Sequence, residues 1–196
     1  MVKRIALLVV AFACVIGLGY AATLAGHSDD RDDHDTLQIT IRDFCDKNTF
    51  PAGLCTGNGK IAFAAFNAEL AAFKDAGSWK FVPDVAATEE SVNLTLTNVG
   101  GETHTFTRVA KFGGGFVAGL NIASGNPVPA PECARVVDGR LVPQPPSANN
   151  MFINAGQTLP GPRIVEDEEA RFQCCIHPWM RTTLNPKEHE HERHQD

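Results

Sequence analysis

The chain has 196 residues, of which 43% are hydrophobic and 20% charged, and 17 Lys and Arg against 23 Asp and Glu give a formal net charge of −6. This length fits one domain with extensions, and an acidic chain without a strongly basic stretch argues against nucleic-acid binding. Composition therefore predicts a soluble, acidic, globular protein with no nucleic-acid partner.

Residues 1–21 have the layout of a secretory signal peptide. Lys3 and Arg4 give a positive start, an apolar run follows over 5–18, and small residues surround Ala21. Cleavage after Ala21 would leave a mature chain at a net charge of −8 with no membrane span. The alternative is an uncleaved anchor, because a spanning helix needs about 20 apolar residues and the apolar character continues almost that far. In both cases we expect the rest of the chain to be exported, to the periplasm or outside the cell, where disulfides persist.

Two segments precede the predicted β domain. Residues 22–35 are rich in Asp and His, which favours a solvated, charged linker. Residues 36–77 form an N-terminal extension that includes a short alternating stretch over 37–40 and a Gly- and Pro-containing loop over 46–59. At about 62–75, four apolar residues recur at helical spacing: Phe63, Phe66, Leu70 and Phe73. They predict an amphipathic helix whose Phe-rich face packs against a core.

The sequence of residues 78–186 consists of short stretches in which apolar and polar residues alternate. The clearest of them are 79–82, 92–97, 103–109, 170–176 and 181–184. Short alternating stretches with Gly and Pro between them predict an all-β, antiparallel sandwich or barrel. Residues 112–133 interrupt this pattern with five glycines and three prolines. We expect this interval to be an ordered excursion over one end of the β domain, of a length that often has a function.

The segment from Cys174 to Met180 contains most of the candidate metal-binding residues. It places a thiol, an imidazole and a thioether at Cys-x2-His-x2-Met spacing, and a tight loop after a strand can direct all three to one point. Thioether sulfur suits copper better than zinc, and two His, one Cys and a long axial Met form the blue-copper arrangement. His104 is available as the second His within the predicted folded region. Taken singly, His104 could be a structural strand residue and Met180 a core residue.

These features resemble the cupredoxins. The alternating stretch over 92–97, the His after a turn and the Cys-x2-His-x2-Met loop near the C-terminus follow the order of that family, and the loop is most similar to that of amicyanin. The resemblance covers residues 78–186 and implies a cupredoxin-like Greek-key β-sandwich. It implies one Cu(I)/Cu(II) ion with four ligands, namely His104, Cys174, His177 and Met180.

The resemblance also predicts what surrounds the four ligands. It implies that His177 is the more exposed ligand and the port for electrons, with Pro178 and Trp179 as an apolar contact patch. Thr105 stands where many cupredoxins have Asn, so we expect a different hydrogen bond between the two ligand segments.

Five cysteines remain once Cys14 leaves with the signal peptide. One metal thiolate and two disulfides account for this odd number. Because successive strand residues point to opposite faces, Cys174 can face the metal while Cys175 faces away. Three pairings of the other four cysteines are possible, and we favour Cys45–Cys55 with Cys133–Cys175. The alternative is that Cys174 is in a disulfide and Cys175 is free.

The sequence therefore predicts a protein that transfers single electrons to and from a redox partner protein. We expect no enzymatic activity, because four protein ligands leave no open metal position for a substrate. The alternative is a copper carrier or storage protein of the cell envelope. The tail over 187–196, which holds three of the seven His residues, would then help to capture metal, although a solvated tail is the simpler interpretation.

Overall fold

The computed structural model describes residues 36–88, 91–165 and 169–187. The predicted signal peptide, the charged linker and the His-rich tail beyond residue 187 lie outside these ranges. Among the described residues, no helix has the length and apolar character needed to cross a membrane. The elements are β1 (Thr36–Arg42), α1 (Phe63–Phe73), β2 (Lys80–Val82), β3 (Val85–Thr88), β4 (Ser91–Asn98), β5 (His104–Val109), α2 (Ala118–Ala123), β6 (Ala134–Val137), β7 (Arg140–Pro143), β8 (Asn150–Ile153), β9 (Thr158–Val165), β10 (Ala170–Gln173) and β11 (Arg181–Pro186).

Two β-sheets form the framework. The first has the strand order β2-β1-β4-β9 and the second the order β3-β11-β10-β5-β8. Most neighbours are antiparallel, and the exceptions are the parallel pairs β1–β4 and β3–β11. The chain changes between these two sheets from β2 to β3, from β3 to β4, from β4 to β5, from β8 to β9 and from β9 to β10. These crossovers confirm the prediction of an all-β sandwich with Greek-key connections.

The core lies between the two sheets and follows from the alternating pattern of the strands. Every second residue of β4 is buried, so that Val92, Leu94 and Leu96 face inward. On the opposite sheet, the rings of Phe106 and Phe172 stack at a centroid distance of 4.3 Å. Full burial of one Phe or Leu side chain contributes about 1.5–3 kcal/mol to folding, so the apolar layer between the two sheets holds them together.

Strand β1 corrects the expected domain boundary at Ser78. It pairs with β4 on one side and with β2 on the other, which makes it an inner strand of the first sheet. Its residues Ile39 and Ile41 have no exposed surface. The sandwich therefore includes β1 (Thr36–Arg42) and is not confined to residues from Ser78 onward. The pairing of β1 with β4 is set by contacts across about fifty residues, which local spacing does not reveal.

Helix α1 spans Phe63–Phe73, against a predicted range of about 62–75. Phe66 and Leu70 are its buried residues, and the helix ends at Lys74, which has a left-handed backbone (φ 61°). The ring of Phe66 lies 4.6 Å from that of Trp79 and 5.9 Å from that of Trp179, centroid to centroid. The helix thus covers the end of the sandwich where the loop between β10 and β11 lies.

The excursion over residues 112–133 is ordered and contains the short helix α2. It approaches the β10–β11 loop so closely at Gly115 that a Cβ atom there would lie 1.7 Å from the carbonyl oxygen of Cys175. The neighbouring amide of Phe116 donates a hydrogen bond to that same oxygen at 2.9 Å. Only glycine allows this contact, which holds the excursion against the loop.

Candidate metal centre

The predicted ligands lie at one end of the sandwich. His104 is the first residue of β5, and the other three residues belong to the loop between β10 and β11. Two backbone hydrogen bonds close this loop, from Cys174 N–H to the Met180 carbonyl at 3.0 Å and from Met180 N–H to the His177 carbonyl at 2.9 Å. The loop therefore holds Cys174 and His177 in fixed positions next to the start of β5.

Three donor atoms face one another. The Nδ1 atoms of His104 and His177 are 3.2 Å apart, and the Sγ atom of Cys174 lies 3.8 Å from each of them. The centre of this triangle is about 2.1 Å from every donor atom, and metal–nitrogen and metal–sulfur bonds are about 2.0–2.3 Å long. The three side chains are thus placed to share one transition-metal ion.

Met180 adds a thioether to this region. Its side chain has no exposed surface, and it belongs to the same buried cluster as Cys174. Two nitrogens, a thiolate and a thioether together form a soft donor set, which suits copper. The residues present therefore fit a single copper ion.

The protein stabilises the thiolate form of Cys174. Its Sγ atom accepts hydrogen bonds from the backbone amides of Thr105 and His177, both at 3.4 Å. Burial by itself raises the pKa of Cys174, but the hydrogen bonds and charges of His104 and His177 outweigh burial and hold the pKa well below its usual value. A deprotonated sulfur is the form that binds metal.

Asp43 lies directly behind His104, a contact that the sequence did not indicate. Its Oδ2 atom is 3.0 Å from His104 Nε2, and neither side chain is exposed to solvent. Burial raises the pKa of Asp43, but hydrogen bonds from His104 and from backbone amides, with the charge of His104, lower it to about 2. For His104, burial lowers the pKa, and the contacts with Asp43 and Cys174 reverse this and raise it to about 9. The Asp43 carboxylate thus fixes His104 with its Nδ1 atom toward the ligand triangle.

Glu102 has the same relation to the second histidine. Its Oε2 atom lies 3.5 Å from His177 Nε2 and also accepts a hydrogen bond from the indole of Trp79. Burial raises the pKa of Glu102, and the charge of His177 and the Trp79 hydrogen bond act in the opposite direction. Each histidine therefore presents Nδ1 to the triangle and Nε2 to a buried carboxylate.

Asp43, Glu102 and His104 also lie close enough to one another to form a metal-binding group of their own. The contacts of Asp43 exclude this use. Its Oδ1 atom accepts from the amides of Cys45 and Gly101, and its Oδ2 atom accepts from the amide of Glu102 and from His104. All of its acceptor sites are occupied, so Asp43 supports the ligand triangle and is not a ligand itself.

The disulfide prediction is confirmed. Cys45 is bonded to Cys55 and Cys133 to Cys175, and Cys174 is the free cysteine among the described residues. Thr105 makes the different link that its identity led us to expect, since its Oγ1 atom accepts a hydrogen bond from Cys175 N–H at 2.6 Å. The second disulfide and this bond fix Cys175 while its neighbour Cys174 faces the triangle.

The predicted contact patch is wrong as an exposed surface. His177 is the most exposed of the four predicted ligands, at 4% against 0% for the other three, but Trp179 is only 9% exposed and Pro178 is buried as well. The side chain of Phe66 on α1 packs against Trp179, and the Gly115 segment packs against the loop backbone. Helix α1 and the excursion therefore cover the predicted electron port and its neighbours.

Asp43 and Glu102 are the functional residues that sequence reasoning missed. Glu102 stands two positions before His104 in a turn, which is a weak signal that could have been used. Asp43 lies 61 positions from His104, the nearest predicted ligand in the sequence, so no spacing connects them. An acidic residue between the apolar positions Ile41 and Cys45 was the one hint.

No protein-family model matches the chain, and no curated protein does. Among solved structures it is similar to a purple cupredoxin from Nitrosopumilus maritimus, at 13% identity and a TM-score of 0.36, over 76% of this chain and 98% of that one. It is also similar to a fern plastocyanin variant (13% identity, TM-score 0.36, 77% and 100% covered) and to auracyanin B (17%, 0.33, 79% and 89%). Identities and scores this low carry no argument about function, which has to come from the site itself.

Proposed function

We propose that the protein is an exported, mononuclear copper protein that transfers single electrons. The observation that carries this proposal is the triangle of His104 Nδ1, Cys174 Sγ and His177 Nδ1, with sides of 3.2 and 3.8 Å, next to the buried Met180. A thiolate with two imidazoles and a weak thioether accommodates both Cu(I) and Cu(II). When bound, copper would supply the one-electron redox chemistry.

The surroundings of the ligands favour electron transfer over catalysis. His104 and Cys174 have no exposed surface, and the Nε2 atoms of both histidines are engaged by carboxylates. Ligands fixed by surrounding contacts move little when the charge of the metal ion changes, and this keeps the reorganisation energy for electron transfer small. Four protein ligands also leave no position for a substrate on the metal.

Burial also argues against the carrier alternative. A protein that delivers copper has to release it, and release from this site requires opening of the β10–β11 loop, which backbone bonds and the Cys133–Cys175 disulfide hold closed. The two disulfides favour an oxidising compartment, in line with export.

An absorption spectrum of the protein after loading with Cu(II) tests the proposal. We expect one copper per chain and an intense visible band from charge transfer between the Cys174 sulfur and the metal. Binding of zinc in preference to copper, or a colourless Cu(II) protein, would show that the site does not have this function.

A further inference from the structure

A cavity of about 370 Å³ lies beside His177 and is not explained by metal binding. It is bounded by α1, by the loop around Leu54 and by the start of α2. Its walls are mostly apolar and include Phe50, Phe63, Phe66, Leu54, Leu120 and Ile176. His177 and Glu102 contribute to its lining as well, which gives the cavity one polar end.

Glu102 has an unused acceptor at this polar end. Its contacts with Trp79 and His177 both involve Oε2, whereas Oε1 accepts no hydrogen bond from any residue in 36–88, 91–165 or 169–187. The residue as a whole is only 7% exposed. Among the described residues, Oε1 is not one of the enclosed side-chain atoms that lack a partner, so it is accessible at the cavity wall and can accept a hydrogen bond from a ligand there.

We propose that this cavity binds a small, neutral aromatic molecule that carries a hydroxyl group, of the phenol or hydroquinone class. The three Phe side chains provide an apolar, aromatic wall for the ring, and Glu102 Oε1 accepts from the hydroxyl. A cavity of about 150 Å³ suffices for benzene, so this cavity has room for one or two rings. The described lining contains no Lys or Arg that could pair with a ligand carboxylate, which disfavours aromatic carboxylates. A bound ring lies next to His177, which makes it a direct neighbour of a metal ligand.

Titration with phenol tests the proposal, with NMR of the methyl groups of metal-free and zinc-loaded protein as the readout. We expect saturable shifts at Leu120 and Ile176, which line the cavity, and none at Ile122, which is 71% exposed. Benzoate should bind at least about tenfold more weakly, a difference of about 1.4 kcal/mol. Binding does not depend on copper, so this test can fail while the proposed function stands, and the reverse also holds.

Matched variants locate the bound molecule. Leu120→Trp places a large side chain in the cavity and should weaken phenol binding by about tenfold or more, whereas Ile122→Trp, two residues along α2 on the exposed side, should change it less than about twofold. Leu54→Trp blocks the cavity from the other wall and covers the case that Leu120→Trp does not fold. Absence of saturable shifts in the unmodified protein, or equal effects of Leu120→Trp and Ile122→Trp, would overturn the proposal. So would benzoate binding as tightly as phenol.

Discussion

Asp43 Oδ2 lies 3.0 Å from His104 Nε2, although the two residues are 61 positions apart and neither is exposed. The contact makes Nε2 the protonated ring nitrogen and leaves the Nδ1 lone pair for the triangle with Cys174 and His177. It also places a negative charge next to the site. A Cβ atom at Gly100 would lie 2.0 Å from the same Oδ2 atom, so the turn before β5 has to carry glycine for Asp43 to fit.

The Asp43→Asn variant should raise the reduction potential of bound copper. Loss of the carboxylate charge destabilises Cu(II) more than Cu(I), and an Asn amide that donates toward His104 Nε2 opposes the tautomer needed at Nδ1. We expect the Cu(II)-to-Cu(I) affinity ratio to fall by about tenfold, equivalent to about 59 mV, measured by redox titration. Asp46→Asn, the same change at a partly exposed residue, is the control. Equal potentials for Asp43→Asn and the unmodified protein would contradict the role given to Asp43.

The stability of the metal-free protein should depend on pH through the same pair. The lowered pKa of Asp43 gives a contribution that is present above pH 3.8 and is lost as pH falls through about 2. The raised pKa of His104 gives a contribution that is present below pH 6.5 and is lost as pH rises through about 9. Asp43→Asn should therefore lower the free energy of unfolding most between these limits, by about 3 kcal/mol near pH 5. Urea unfolding of both proteins at pH 3, 5 and 9.5 measures the difference in the free energy of unfolding. A difference that does not depend on pH would contradict the pairing of Asp43 with His104.

Features that depend on nearby residues were predictable from the sequence. The alternation in β4 and the Phe spacing in α1 set which residues face the core, and the ligand loop carries its donors within seven residues. Features that depend on distant contacts were not. The inner position of β1 and the support of His104 by Asp43 each join segments more than fifty residues apart. The burial of His177 likewise depends on α1 and the excursion, which come from elsewhere in the chain.

Replacement of Cys174 and replacement of Cys175 should affect different properties of the protein, its colour and its stability. Cys174→Ser should abolish the visible band, because it removes the free thiolate of the triangle. The double variant Cys133→Ser/Cys175→Ser should keep the band and lose about 2–5 kcal/mol of stability, because it removes only the disulfide. Visible spectra and thermal unfolding of the copper-loaded proteins distinguish the two, and loss of colour in the double variant alone would show that the ligand is misassigned.

The Met180→Leu variant should keep copper bound and raise its potential. Leucine has a similar volume, so the buried position stays filled at a cost below about 1.5 kcal/mol. Loss of the weak thioether donor destabilises Cu(II) more than Cu(I). Cyclic voltammetry measures the shift, and His104→Ala serves as comparison, since it should open a position that added imidazole can fill. An unchanged potential in Met180→Leu would show that its sulfur does not interact with the metal.

The disulfide between Cys133 and Cys175 ends one residue from the free thiol of Cys174. Before this disulfide forms, two neighbouring thiols can react with Cys133, and a bond to Cys174 would remove the thiol that faces the triangle. Copper bound before oxidation would protect Cys174 and leave Cys175 as the one thiol of this adjacent pair that can react with Cys133. Copper that arrives later finds a site only in those chains that were oxidised in the correct register. With copper as the bound metal, the yield of correctly bonded protein would depend on the order of metal insertion and thiol oxidation, so the supply of copper during folding would limit maturation.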